Sequence, residues 1–112
     1  MVNDLGNSLE RYMDMLSMRQ KLVTSNIANA DTPGYKTQDL DFQKAFQSAL
    51  DGGTVQPGPV SGLAVKNDGN NVDLDREARL LAENALRFGV ASTLMKGQFA
   101  QIKEAIKEGG GA

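Results

Sequence analysis

Apolar residues recur at steps of three and four in two long stretches, one towards each end of the chain, and lose that rhythm in between. Over about residues 5–30 the positions Leu5, Leu9, Tyr12, Leu16, Val23, Ile27 and Ala30 mark one helical face, with one polar step at Arg19-Gln20. Asn3 and Asp4 suit its N-cap. A second strip, Met13, Met15, Met18 and Leu22, runs beside the first, so this helix is expected to be contacted from more than one side. Unbranched, polarizable methionine suits packing against non-identical neighbours better than it suits a metal or cofactor site.

The second stretch opens at Asp73-Leu74-Asp75, where Asp75 and Glu77 complement the positive end of a helix dipole. Ala78, Leu81, Ala85, Phe88, Ser92, Met95, Phe99, Ile102 and Ile106 follow with alternating steps of three and four, the seam of a coiled coil or bundle. Ala82, Leu86, Gly89 and Ala105 broaden that seam, and Gly109 to Gly111 end it. Phe88, Met95, Phe99 and Ile102 are expected to be buried where the long helices meet, within one chain or between chains. Gly89 and Gly97, with Ser92 and Thr93 between them, concentrate small residues on that helix and suit close approach of a neighbour. At 1.5 Å per residue the two helices are roughly 40 and 48 Å long.

Between them the signals are of turns and short elements. Pro33-Gly34 predicts a type II turn, with Pro fixing φ at its second position and Gly taking the positive φ at its third. Asn26, Asn29, Asp31 and Thr32 offer side-chain partners to the backbone groups that a helix end leaves free. Tyr35 to Leu40 reads as extended and polar. Asp41 is suited to cap a short helix with Phe42, Ala45, Phe46, Ala49 and Leu50 on one face, ended by Asp51-Gly52-Gly53. Pro57-Gly58-Pro59 places a loop over Thr54 to Gly62. Val60, Leu63 and Val65 suit a short strand or extended segment, and Asp68-Gly69-Asn70-Asn71 a turn able to close a small hairpin.

These elements predict an all-α fold: two long terminal helices packed as a coiled-coil-like hairpin, with a short helix and an irregular or small β middle. The chain divides into an N-terminal helix and turn (1–36), a short helix with a Gly/Pro-rich middle (37–72) and a C-terminal helix (73–112), together one structural domain.

Composition narrows the chemistry. With 112 residues, no cysteine and no histidine, the chain lacks disulfides, thiolate nucleophiles and the commonest general base and metal ligand. Fourteen acidic against twelve basic residues leave no positive field for nucleic acid. The Asp/Asn-rich stretch from Asp68 fails as an EF-hand: a loop started at Asp68 puts Asp73 at the glycine position and Arg79 at the bidentate position, and one started at Asn71 puts Arg76 and Ala82 there. No phosphate-binding or nucleophile-elbow motif is present. The expectation is no catalytic residue, no cofactor, no metal and no small-molecule substrate. Asp4, Glu10 and Asp14 interrupt the first fifteen residues, so no cleavable signal peptide is expected, and no apolar run suffices for a membrane span.

The run Asn26-Ile27-Ala28-Asn29-Ala30-Asp31-Thr32-Pro33-Gly34-Tyr35-Lys36 resembles the N-terminal signature of the bacterial flagellar rod, hook and hook-associated proteins. Its continuation, Asp39-Leu40-Asp41-Phe42, is most similar to the proximal rod subunits of the basal-body rod family. The resemblance extends to the helical C-terminal third, whereas about residues 51–70 are shorter and richer in glycine than that family leads one to expect. It implies a structural subunit exported through the flagellar type III apparatus and assembled into the axial rod, which crosses the periplasmic space or cell wall. The partners it implies are further copies, other rod subunits, the base-adapter protein and the export gate. It maps the assembly seam to Leu5, Leu9, Tyr12, Leu16, Val23 and Ile27 on the first helix and to Leu81, Phe88, Met95, Phe99, Ile102 and Ile106 on the second. The turn it maps comprises Asn26, Asn29, Asp31, Thr32, Pro33, Gly34 and Tyr35. The reading from a different class is a non-flagellar helical adaptor or chaperone-like module that masks another protein's amphipathic helix.

Overall fold

The structure, a computed structural model, describes residues 3–53 and 56–110. Helix α1 (Asn3–Ala28) and helix α3 (Leu74–Gly110) lie antiparallel along a body measuring 71 × 26 × 17 Å. Strand β1 (Gln38–Asp39), helix α2 (Phe42–Leu50) and strand β2 (Gly58–Pro59) connect them. With 26 and 37 residues the long helices span about 39 and 55 Å. The C-terminal turns of α3 therefore project past the start of α1.

The capping residues start the helices as their side chains dictate. Asp41 Oδ1 accepts from the Lys44 amide at 3.2 Å and Asp73 Oδ1 from the Arg76 amide at 3.1 Å, each satisfying an amide that the first turn leaves free. On α1, Leu9, Leu16 and Val23 recur every seven residues, Ala30 continues the register just past the helix end, and all four are buried. Tyr12 packs edge-on against Phe42 and Phe46 of α2, with ring centroids 5.4 and 5.9 Å apart. Met15 is buried on the same side of α1, where α2 and β1 cover it, so the methionine strip is only partly free; Met18 is exposed, and Met13 and Leu22 are half-buried.

The α3 seam differs from the one its apolar pattern predicts. The buried positions are Glu77, Asn84 and Ala91, again every seven residues, with Leu81, Met95 and Ile102 half-buried beside them. Ala78, Ala85, Phe99 and Ile106 turn outward instead, and Phe88 is 39 % exposed and Phe99 65 %. An apolar heptad on α1 thus faces a polar and small heptad on α3. The reason is hydrogen bonding: α1 supplies Asn26 to Glu77, and the Leu16 carbonyl and Gln20 Oε1 to Asn84 Nδ2, leaving only Asn84 Oδ1 without a partner, and small Ala91 lets the backbones approach.

The strand also falls elsewhere. Gln38 pairs with Pro59 and Asp39 with Gly58 in an antiparallel ladder, whereas Val60, Leu63 and Val65 lie outside it. Proline serves here because the ladder has only two strands, so the edge it occupies has no further neighbour to receive an amide. The Val60 amide continues the pairing by donating to the Thr37 carbonyl at 3.1 Å. Residues 66–70 form a tight turn, closed by Gly69 N to Lys66 O at 2.9 Å and Lys66 N to Asn70 O at 2.8 Å, without flanking strands.

Candidate assembly site

At the end of α1 the chain reverses through two linked turns. The Asn29 amide and its side-chain Nδ2 both donate to the Ser25 carbonyl, at 3.0 and 2.8 Å, and the Thr32 amide donates to Asn29 O at 3.0 Å. Tyr35 N then donates to Thr32 O at 3.2 Å, and Gly34, third in that turn, has φ +76°, the geometry of type II. Asp31, Thr32, Pro33 and Gly34 are exposed at the tip, Asn29 and Tyr35 are half-buried, and Asn26 is wholly buried.

Asn26 is where this turn is tied to the rest of the molecule. Its Nδ2 donates to the Gln38 carbonyl at 2.8 Å and to Glu77 Oε1, and its Oδ1 accepts from Gln38 N at 3.1 Å and Tyr35 OH at 2.9 Å. Both donors and both acceptor positions of the amide are used. One side chain thereby joins α1, the turn, β1 and α3. From the sequence Asn26 is expected to serve the local helix end and turn; its observed partners reach further, to Gln38 of β1 and Glu77 of α3.

A charged cluster continues outward from Glu77. Arg76 Nη1 donates to Glu77 Oε2 and Arg76 Nη2 to Asp39 Oδ2, each at 2.6 Å. Arg19 grips Asp39 from the other side through Nε and Nη2, at 3.1 and 3.0 Å, the bidentate geometry that a guanidinium makes with a carboxylate. Burial alone would raise the Asp39 carboxyl. The bonds from Arg19, the Leu40 amide and Arg76 outweigh it and hold that carboxyl below the ordinary aspartate range. Burial likewise works against the Arg76 charge, and Asp39 and Glu77 reverse that and raise its affinity for the proton.

The loop before α3 closes the other side. Buried Asn70 donates from Nδ2 to the carbonyls of Asn29 and Thr32, at 2.9 and 2.8 Å, and accepts from Val72 N at 2.9 Å. Asn71 Oδ1 accepts from Thr37 N at 2.7 Å, while Asp68 O accepts from Gly34 N at 2.9 Å. Lys66 Nζ reaches the Ala30 carbonyl at 3.2 Å, and Lys36 Nζ the Gly69 carbonyl. Asn70, Asn71, Asp39, Arg76 and Glu77 are thus members of the turn region that sequence spacing did not single out. Asn70 and Asn71 carried the signal of a turn, and Arg19 and Asn26 that of polar breaks, without indicating that they meet.

The residues mapped as an assembly seam divide by environment. Leu9, Leu16 and Val23 are buried inside the chain, and Tyr12, Leu81, Met95 and Ile102 are half-buried. Leu5, Ile27, Phe88, Phe99 and Ile106 are exposed. Further large apolar residues stand out on the opposite face of α3, namely Leu86, Val90 and Leu94, at 71, 55 and 54 % exposure. Among the described residues no group of three or more acidic residues is placed to hold a metal ion, and no helix is long and apolar enough to cross a membrane.

Residues 13–36, which include the whole of the turn, match the family described as flagella basal body rod protein. The chain is 30 % identical to the flagellar basal body rod protein FlgB of Escherichia coli K12, covering 89 % of this chain and 91 % of that one. It is 29 % identical to FlgB of Yersinia enterocolitica over 97 % of this chain and all of the relative, and 27 % identical to FlgB of Borreliella burgdorferi over 95 % of this chain and all of the relative. The Yersinia alignment runs over 137 positions against 112 residues here, so with both ends matched the relative carries internal residues that this chain lacks. With its signature turn tied to both long helices and a likeness that runs from end to end, the chain belongs to the FlgB family of flagellar basal body rod proteins.

Proposed function

We propose that the chain is a structural subunit of the basal-body rod, exported through the flagellar type III apparatus and built into the axial tube by its terminal helices. In this role it is required for motility and contacts further copies, other rod subunits, the base-adapter protein and the export gate. The observation that carries the reading beyond family membership is the apolar surface that one copy leaves uncovered. Leu86, Phe99 and Ile106 are each at least 65 % exposed on a single helix, and contacts in an assembly would remove that surface from water. Its rod position lies across the periplasmic space or cell wall.

The test is complementation of a strain lacking the gene. Swimming is expected to return with the wild-type chain, and the chain is expected to be recovered in isolated hook–basal bodies. A motile deletion strain, or basal bodies devoid of the chain, would overturn the assignment.

A further inference from the structure

Helix α3 turns a polar heptad towards α1 and an apolar side away from it. Glu77, Asn84 and Ala91 are buried, while Phe88 and Phe99 are exposed. At 3.6 residues per turn, Phe88 and Phe99 lie only about 40° and 60° round the helix from Asn84, with Leu81 and Met95 on the same side. Rolling α3 by roughly 50° about its own axis would therefore exchange the polar face for the apolar one. Room for that roll exists. On that side a groove of about 510 Å³ runs between the helices, lined by Met13 and Ser17 of α1 and by Phe88, Met95 and Phe99 of α3.

Apolar burial does not select the observed orientation. It leaves Phe88 and Phe99 in water and Asn84 Oδ1 buried without a partner, and both lower stability. Directional bonds hold the helix as it stands. Asn26 Nδ2 donates to Glu77 Oε1, and Asn84 Nδ2 donates to the Leu16 carbonyl at 2.9 Å and to Gln20 Oε1 at 3.0 Å. All three would break on the roll.

We infer that Glu77 and Asn84 are positioning residues, whose bonds to α1 keep the apolar side of α3 turned outward. Without them the hydrophobic effect, which has no direction of its own, rolls α3 until Phe88 and Phe99 fill the groove beside Met13. A buried asparagine at a helix seam characteristically fixes one arrangement at a cost in stability. These two residues thus decide which side of α3 stays open. The rod assignment does not depend on this arrangement and stands if it fails.

The chain has no native tryptophan, so a single introduced one reports the roll. Phe88→Trp is compared in the parent and in a Glu77→Ala, Asn84→Ala background, using full chain shown to be monomeric by light scattering and helical by circular dichroism. Alanine removes the bonds without adding a large apolar group to the inward face. In the double-alanine background the emission is expected to shift to shorter wavelength and acrylamide quenching to fall. A hairpin merely loosened by the lost bonds would show the reverse. Unchanged or stronger quenching in a helical monomer therefore overturns the positioning role. If the double-alanine chain does not fold, Asn84→Ala alone decides by the same readings: weaker quenching supports the role, and unchanged or stronger quenching overturns it.

Discussion

Asn26 and Glu77, 51 residues apart in sequence, meet by a hydrogen bond at sites with no solvent exposure. Each is a polar member of a buried helical face, and each makes the other tolerable there. Replacing Asn26 by Ala removes the partner of Glu77 Oε1 and of both backbone groups of Gln38, and leaves the Tyr35 hydroxyl only its longer contact with Ser25. We expect a loss of roughly 2–4 kcal/mol, since a buried polar group left unpaired costs about 1–3 kcal/mol and a relaxing loop recovers part of the sum. Urea unfolding of Asn26→Ala against the parent measures it. A loss below 1 kcal/mol would mean that water replaces the amide.

Gly34 sets the direction in which the chain leaves α1. Its φ of +76° is strained for any residue with a Cβ, although no atom stands within 4 Å of where that Cβ would lie. Gly34→Val is therefore expected to cost roughly 1–3 kcal/mol through backbone strain alone, and Gly34→Asn distinctly less, because Asn tolerates the left-handed region. Export of the valine variant should continue while its incorporation into basal bodies fails, which a comparison of secreted and basal-body fractions reads directly. Equal losses for Asn and Val would refute the backbone explanation.

Two positions of the mapped seam separate folding from assembly. Leu16 is 1 % exposed, and Leu16→Ala should cost roughly 2–5 kcal/mol by leaving a cavity between α1 and α3. Phe99 is 65 % exposed, and Phe99→Asp should change the stability of the isolated chain by only about 0.5 kcal/mol while abolishing rod assembly. Unfolding curves alongside motility in the complemented strain give the two readings. A motile Phe99→Asp strain would remove Phe99 from the assembly surface.

The contrast between those two residues also shows where sequence reasoning reached and where it stopped. Local chemistry was legible: Asp41 and Asp73 cap the helices they precede, and Pro33-Gly34 makes the turn that its dihedral preferences demand. The α1 stripe was legible in part: Leu9, Leu16 and Val23 are buried, whereas Leu5 and Ile27 of the same stripe are exposed and polar Asn26 is buried beside them. The α3 seam was not, since apolar periodicity selects Phe99 and Ile106, while burial selects Glu77 and Asn84 through partners on α1. Nor was β2, because Gly58-Pro59 has poor strand propensity and is held by the register of Gln38 and Asp39. What failed in each case was information carried by residues distant in sequence.

Acid should loosen the charged cluster. The folded-state carboxyl of Asp39 lies below its ordinary value, so its contribution to stability is complete above about pH 3.9 and is lost as pH falls through the lower folded value. The stability gap between the parent and Asp39→Asn should therefore be constant from pH 5 to 7 and shrink below about pH 4. Denaturant unfolding at a series of pH values tests this. A gap that widens on acidification has the wrong sign for a carboxylate held by Arg19 and Arg76.

Stability should fall along the hairpin from its turn to its open end. Near the turn, Asn26, Asn70, Asn71, Asp39 and Glu77 lock four segments together, and Leu16 and Val23 are buried beside them. Towards the open end the contacts thin, and from Lys103 to Gly109 every residue of α3 is exposed. A helix without a packed face gains little from propensity alone, and two glycines near this terminus lower it further. One chain offers that end of α3 no packed face, so its ordering is expected to need neighbouring copies. Hydrogen exchange on dilute chain, proven monomeric by light scattering, should show the slowest amides within about residues 16–30 and 70–90 and fast exchange beyond 100. Helicity by circular dichroism should rise with concentration as association covers Phe99 and Ile106. Uniformly slow exchange through Gly109 in a proven monomer would show that α3 needs no neighbour to be ordered.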